Sequence, residues 1–256
     1  MKKAIVAVSF GTSHPDARRA IERIEAALAD HFSDRDFFRA FTSGMITRKI
    51  EREEGIVIPS AGEIAETLYR DGYTDVIFQS LHIIAGSEYE KFLEQIAPFR
   101  ASFERVTVGL PLLYSIEDYA EVCRALLSHM PPPNDDEAVV YMGHGSAHPM
   151  NAAYSQLENT FRLLSRERVY VGTVEGFPEL DYIENRLRHR EVKRVLLAPL
   201  MIVAGEHAKN DLAGSDDDSW ASQLRAAGYD VTLDMRGMGE LAGIAEIFVR
   251  HAETAL

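Results

Sequence analysis

The chain has 256 residues, 46% of them hydrophobic and 26% charged, with a formal net charge of −13. That length suffices for a substantial core and, at usual domain sizes, for two domains of just over a hundred residues. No apolar run approaches the roughly 20 residues of a membrane helix, and the acidic balance argues against non-specific nucleic-acid binding, which needs a basic field. An anionic small molecule stays compatible with that charge if basic side chains gather locally.

The opening MKKAIVAVSF has the basic start of a signal peptide. Its apolar stretch is short and runs into GTSHPDARR without a small-residue cleavage site, so it reads as a first strand. Further strands come at FFRAF, DVIFQSL and RVTVGL, separated by amphipathic stretches such as PDARRAIERIEAALADHF. Cys123, in YAEVCRALL, stands alone, which excludes an internal disulfide and points to the cytoplasm; its helical spacing marks a buried structural thiol. PPPNDD, residues 131–136, is the one Pro-rich polar break, and the linker is placed there. Beyond it come AVVYMG, the helical NAAYSQLENTFRLLSRE, RVYVGTV, RVLLAPL and DVTLDM. Apolar strands alternating with amphipathic helices predict an α/β fold with parallel sheets. Two Rossmann-like domains of roughly four strands each are expected, at 1–130 and 137–256.

The halves also share local sequence. SFGT at 9–12 aligns with GHGS at 143–146, and SLHIIAG at 80–86 aligns with PLMIVAG at 199–205, which indicates an internal duplication. Binding sites in open parallel sheets form at the carboxyl ends of strands. His144, Glu175 and His207 each come after a second-half strand, so three parallel strands would bring them to one sheet edge. Two imidazoles and a carboxylate suit cobalt, zinc or nickel, and three protein ligands leave a coordination position open for chemistry or transfer. Gly143, Gly145, Gly176 and Gly205 permit tight loops beside them. The alignment sets Phe10 against His144, Ser43 against Glu175 and Glu88 against His207, so one metal site, in the second half, is expected. Glu88 could then face a cleft between the domains and assist metal entry or proton removal, or simply complement a helix N-terminus.

Other features are weaker. GSDDDSW at 214–220 reads as a helix start capped by Ser215. His148 gives little support for paired ligation with His144. His82 either lines the cleft or is a satisfied core histidine. Arg39, Arg48, Lys49 and Arg52 could bind carboxylates or form a solvated helix face.

Taken together, VSFGTS, FRAFTSGMITRK, QSLHIIAGSEYEK, MGHG, PLMIVAGEHAKND and DDDSW resemble the anaerobic sirohydrochlorin cobaltochelatases of early-insertion cobalamin biosynthesis, nearly end to end. The resemblance implies a class II chelatase with two similar domains around an active-site cleft, inserting Co²⁺ into sirohydrochlorin without ATP. It implies His144, His207 and Glu175 as metal ligands; the reading of the duplicated halves adds Glu88 to His144 and His207 as the catalytic set, with Phe10, Ser43 and His82 as the candidate substrate contacts. No cofactor is implied beyond the divalent metal substrate, Co²⁺ or else Fe²⁺ or Ni²⁺. The partners implied are sirohydrochlorin and that ion, with no nucleic acid and no membrane, in the cytoplasm; self-association is left open. Iron insertion giving sirohaem, a non-catalytic tetrapyrrole or metal carrier, and a metal-dependent hydrolase are the alternatives.

Overall fold

The computed structural model describes residues 2–130 and 132–255. The chain divides into two compact units, Met1–Tyr114 with Ala242–Leu256, and Ser115–Leu241. Among the described residues no helix is long and apolar enough to cross a membrane.

In unit 1, β1 (Lys3–Ser9), β2 (Asp36–Phe41), β3 (Asp75–Ser80) and β4 (Arg105–Gly109) form a parallel sheet in the order β2-β1-β3-β4. The central strands are buried on both faces, which explains why KAIVAVS and DVIFQS carry apolar residues in succession rather than in alternation. Ala4, Val6 and Val8 pack with Phe78 against Ile64 and Leu68 of α3 (Ala61–Arg70) and Phe92 of α4 (Ser87–Ile96). The opposite face is covered by α1 (Pro15–His31) and by α9 (Ala242–Thr254) from the end of the chain. α2 (Gly44–Glu54) starts at the Ser43 cap and stops at Gly55, whose φ of 68° is the left-handed ending that glycine accepts at little cost.

Unit 2 repeats the plan. β5 (Glu137–Gly143), β6 (Val169–Thr173), β7 (Arg194–Leu200) and β8 (Asp230–Leu233) run parallel in the order β6-β5-β7-β8. Val140, Met142 and Leu197 pack with Ile183 of α7 (Leu180–His189) and with Trp220 and Leu224 of α8 (Trp220–Ala226). On the other face, Tyr141 stacks on Phe161 of α6 (Ala152–Leu163). α5 (Ile116–Leu127) packs on α6, where the Cys123 thiol, buried and pushed up to about 12 by that burial, donates to the Leu157 carbonyl. β6 is an edge strand, so its outward N–H groups lack a strand partner. Buried Glu158 of α6 accepts from Val171 N–H and pairs with Arg162 and Arg186, fixing α6, β6 and α7 together.

The expected strands are all present; the expected division is displaced. The units part after residue 114 and again after 241, not at 131–136. Pro131 lies outside the described residues, while residues 132–136 belong to unit 2, where Arg194 pairs with Asp136 and Glu137. An amphipathic pattern announces a helix without saying which domain it joins; here α5 joins the unit of the second half, packing on α6, and α9 covers the sheet of the first. The helix start in GSDDDSW is also displaced, from Ser215 to Ser219. The Ser219 hydroxyl accepts from Ser222 N–H at 3.1 Å and donates to the Gly214 carbonyl at 2.7 Å, directly before buried Trp220.

Candidate metal-transfer site

In unit 2, β5 connects to β6 on one side and pairs with β7 on the other, so the crevice between the carboxyl ends of β5 and β7 is a topological switch point. His144 directly follows β5, and His207 follows β7 by seven residues. The two rings meet edge to face at that crevice, with Nε2 atoms 3.1 Å apart.

Each ring is oriented from its far nitrogen. His144 Nδ1 lies 3.0 Å from the Gly145 carbonyl, and His207 Nδ1 lies 2.6 Å from Asp211 Oδ2. A carbonyl or carboxylate oxygen can only accept, so both Nδ1 atoms carry the proton and both Nε2 atoms present bare lone pairs. Two lone pairs at 3.1 Å repel unless a positive centre lies between them, either a proton or a metal ion. Cis ligands at about 2.1 Å from a metal stand about 3.0 Å apart at a right angle, so the pair is spaced for one ion.

Local backbone accounts for this placement. Gly145 has φ +85°, and a Cβ there would fall 2.8 Å from Thr173 Cβ and 2.9 Å from the Glu175 carbonyl carbon. Only glycine allows the His144 loop to lie so close to the strand that delivers Glu175. Beneath it, Tyr154 is buried against Gly143; burial pushes its hydroxyl up to about 12, with a hydrogen bond from the Gly145 backbone opposing. His207 enters a turn of π-helix over Ala208–Leu212, closed by Ala213 N–H donating to the Ala208 carbonyl. Such turns recur at functional sites, and this one brings Asp211 to within hydrogen-bonding reach of His207.

Glu175 is tied to His144 by backbone, its N–H donating to the His144 carbonyl at 2.7 Å. Its carboxylate Oε2 lies 3.8 Å from His144 Nδ1, and the side chain is 60% exposed. Thus two of the three expected ligands converge and the third lies beside them. Among the described residues, no three His, Cys, Asp or Glu side chains stand together as a metal-holding group as they are. Sequence reasoning misses Asp211, although its spacing of four from His207 in HAKND is the available signal.

The remaining candidates lie in unit 1. Phe10 follows β1 and is 45% exposed. Ser43 is buried and its hydroxyl accepts from Ile46 N–H, capping α2. Glu88 is in the first turn of α4, with Oε1 3.6 Å from Lys91 Nζ and Oε2 buried and unpartnered. His82 is buried, Nδ1 2.9 Å from Ser80 Oγ and Nε2 3.4 Å from Thr42 Oγ1. Of the basic cluster, Arg39 is taken up by Glu25 and Arg52 by Glu53. His148 uses Nδ1 to accept from Met150 N–H and cap a short turn.

Two imidazoles thus face each other at the switch point of one of two like α/β units, an arrangement that suits a cation. The same fold occurs in SirB from Bacillus subtilis, solved with Fe³⁺, at a TM-score of 0.69 and 17% identity over 100% of this chain and 96% of that one. Residues 3–256 match the cobalt chelatase (CbiK) family. The chain is 45% identical over 257 residues to the sirohydrochlorin cobaltochelatase of Salmonella typhimurium, covering 100% of this chain and 97% of that protein. It is 34% identical over 258 residues to the sirohydrochlorin cobaltochelatase CbiKC of Nitratidesulfovibrio vulgaris, covering 100% and 91% respectively. The chain belongs to the cobalt chelatase family.

Asp211 fixes the proton on His207 Nδ1, so Asp211→Ala should weaken Co²⁺ binding by about 10–100-fold, read by Co²⁺ titration; wild-type affinity would remove that role. A second expectation concerns pH. Burial, aided by Lys91, lowers His82 from 6.5 to about 4. The unfolded chain therefore takes up this proton near pH 6.5 and the folded one only near 4, so stability present above pH 6.5 is lost as the pH falls toward 4. The loss should reach about 3 kcal/mol in denaturant unfolding followed against pH, and His82→Gln should flatten the slope. An equally steep slope in the variant is the contrary result.

Proposed function

We propose that the chain inserts Co²⁺ into sirohydrochlorin without ATP, with His144, His207 and Glu175 holding the incoming ion. The observation that carries this reading is the pair of Nε2 lone pairs facing each other at 3.1 Å, beside an exposed carboxylate. The family membership supports the reaction, and the divalent ion is its substrate.

Insertion requires the ion to shed water, the macrocycle to lose two pyrrole protons, and protein ligands to give way to macrocycle nitrogens. Two neutral imidazoles and one carboxylate suit a site of moderate affinity, since a tighter one would retain its cargo. The partly exposed Glu175 side chain can follow the ion or release it by rotation alone. Once the ion moves to the macrocycle, the Nε2 atoms recover their lone pairs and can accept protons leaving the pyrroles. The peripheral carboxylates of the substrate give binding energy that can hold the ring in a distorted geometry, with its nitrogens turned toward the ion. Glu88, with one unpartnered buried oxygen, is the proposed unit 1 carboxylate that assists metal entry or proton removal. Phe10, Ser43 and His82 are the proposed substrate contacts. A cytoplasmic location accompanies this reading.

Mixing the protein with sirohydrochlorin and Co²⁺ and following the absorption spectrum tests it. Many turnovers per protein are expected, and a single stoichiometric change would indicate a carrier instead. His144→Ala should lower turnover by about 10²–10⁴-fold with the fold intact; wild-type turnover would sink the assignment. Glu88→Gln should slow turnover at unchanged Co²⁺ affinity, and wild-type behaviour would end its proposed role. Parallel rates with Fe²⁺ settle the metal preference.

A further inference from the structure

We propose that Asn151 is a positioning residue that holds the His144 and Glu175 loops in the spacing the metal requires; this rests on Glu175 being a ligand. Asn151 stands directly before α6, where an asparagine ordinarily caps the helix through its side chain. It makes no such bond. Its amide instead bridges two loops. Oδ1 accepts from Ser146 N–H at 3.0 Å, two residues beyond His144, and Nδ2 donates to the Phe177 carbonyl at 2.7 Å, two residues beyond Glu175.

The bridge completes a set of restraints on Glu175. On its amino side, Val174 N–H donates to the Gly143 carbonyl and Glu175 N–H to the His144 carbonyl, prolonging the β5–β6 ladder past the end of the sheet. On its carboxyl side, the bond from Asn151 to Phe177 is the matching anchor. Between them, Gly176 lies so close to the amide that a Cβ would fall 2.8 Å from Asn151 Oδ1 and 3.0 Å from Cγ. The backbone of Glu175 is therefore held on both sides while its carboxylate stays exposed. The two histidines do not depend on this bridge for ring orientation, because each is fixed through its own Nδ1.

Loss of the Asn151 amide should accordingly remove the contribution of Glu175 and leave the imidazole pair in place. The test is Co²⁺ titration of the full chain with the visible spectrum of the bound ion, in Asn151→Ala, Glu175→Gln and the double variant. Asn151→Ala should weaken Co²⁺ by about 10–100-fold, the range for groups that orient ligands, and give the spectrum of Glu175→Gln. The double variant should lose no more than either single one, since residues acting through one interaction are non-additive. Asn151→Asp, nearly isosteric, replaces the donor to Phe177 by a charged oxygen that repels that carbonyl; it should behave in the same way, and it decides the matter if the alanine variant fails to fold. Wild-type affinity and spectrum in a folded Asn151 variant, with Glu175→Gln impaired, would overturn the role of Asn151 alone. A loss that adds to that of Glu175→Gln would do the same. Wild-type behaviour in Glu175→Gln would overturn the ligand reading and this proposal with it.

Discussion

The site depends on where two protons sit. His144 and His207 each commit Nδ1–H to an oxygen fixed by local backbone, a carbonyl one residue on in the first case and a carboxylate one helical turn on in the second. That commitment leaves two Nε2 lone pairs directed at the same point from two strands adjacent in the sheet. The surrounding features serve this convergence: the left-handed glycine after His144, the π turn after His207 and the switch point between β5 and β7. A lone imidazole at a strand end is an ordinary hydrogen-bonding group. Two that turn their protons away from each other have the arrangement that a pair of cation ligands needs.

The two units show how a scaffold can persist while its chemistry diverges. In unit 1, Thr42 N–H donates to the Ser9 carbonyl and Ser43 N–H to the Phe10 carbonyl; in unit 2, Val174 and Glu175 make the same bonds to Gly143 and His144. The backbone at the strand ends is thus alike in both units. Its side chains are an aromatic ring and a helix-capping hydroxyl in one, an imidazole and a carboxylate in the other. At the position aligned with Met201, unit 1 carries His82, which is neutral and turned inward onto Ser80 and Thr42.

Much of this is legible in the sequence because it derives from periodicity. Eight strands can be read from apolar runs between helical stretches, and strand-end position alone picks out His144, Glu175 and His207. Residues whose roles depend on one side-chain rotamer are not legible. Asp211 and Asn151 are polar residues at helical turns, where they read as solvated or as caps, and only the geometry shows their oxygens and nitrogens directed elsewhere. Ser219 replaces Ser215 as a cap for a similar reason, since several polar residues preceding a helix compete and tertiary packing, here the burial of Trp220, selects among them. The ownership of α5 and α9 is hidden because an amphipathic helix fits any apolar sheet face.

The exchange of α9 also sets the order in which the chain can mature. Synthesis runs from the amino end, and every residue of unit 2 emerges before the helix that finishes unit 1. Through that interval the first sheet lacks the cover that Ile244, Ile247 and Phe248 later give it, and its apolar face is open to aggregation or to a chaperone. The half of the protein made first is therefore completed only after the other.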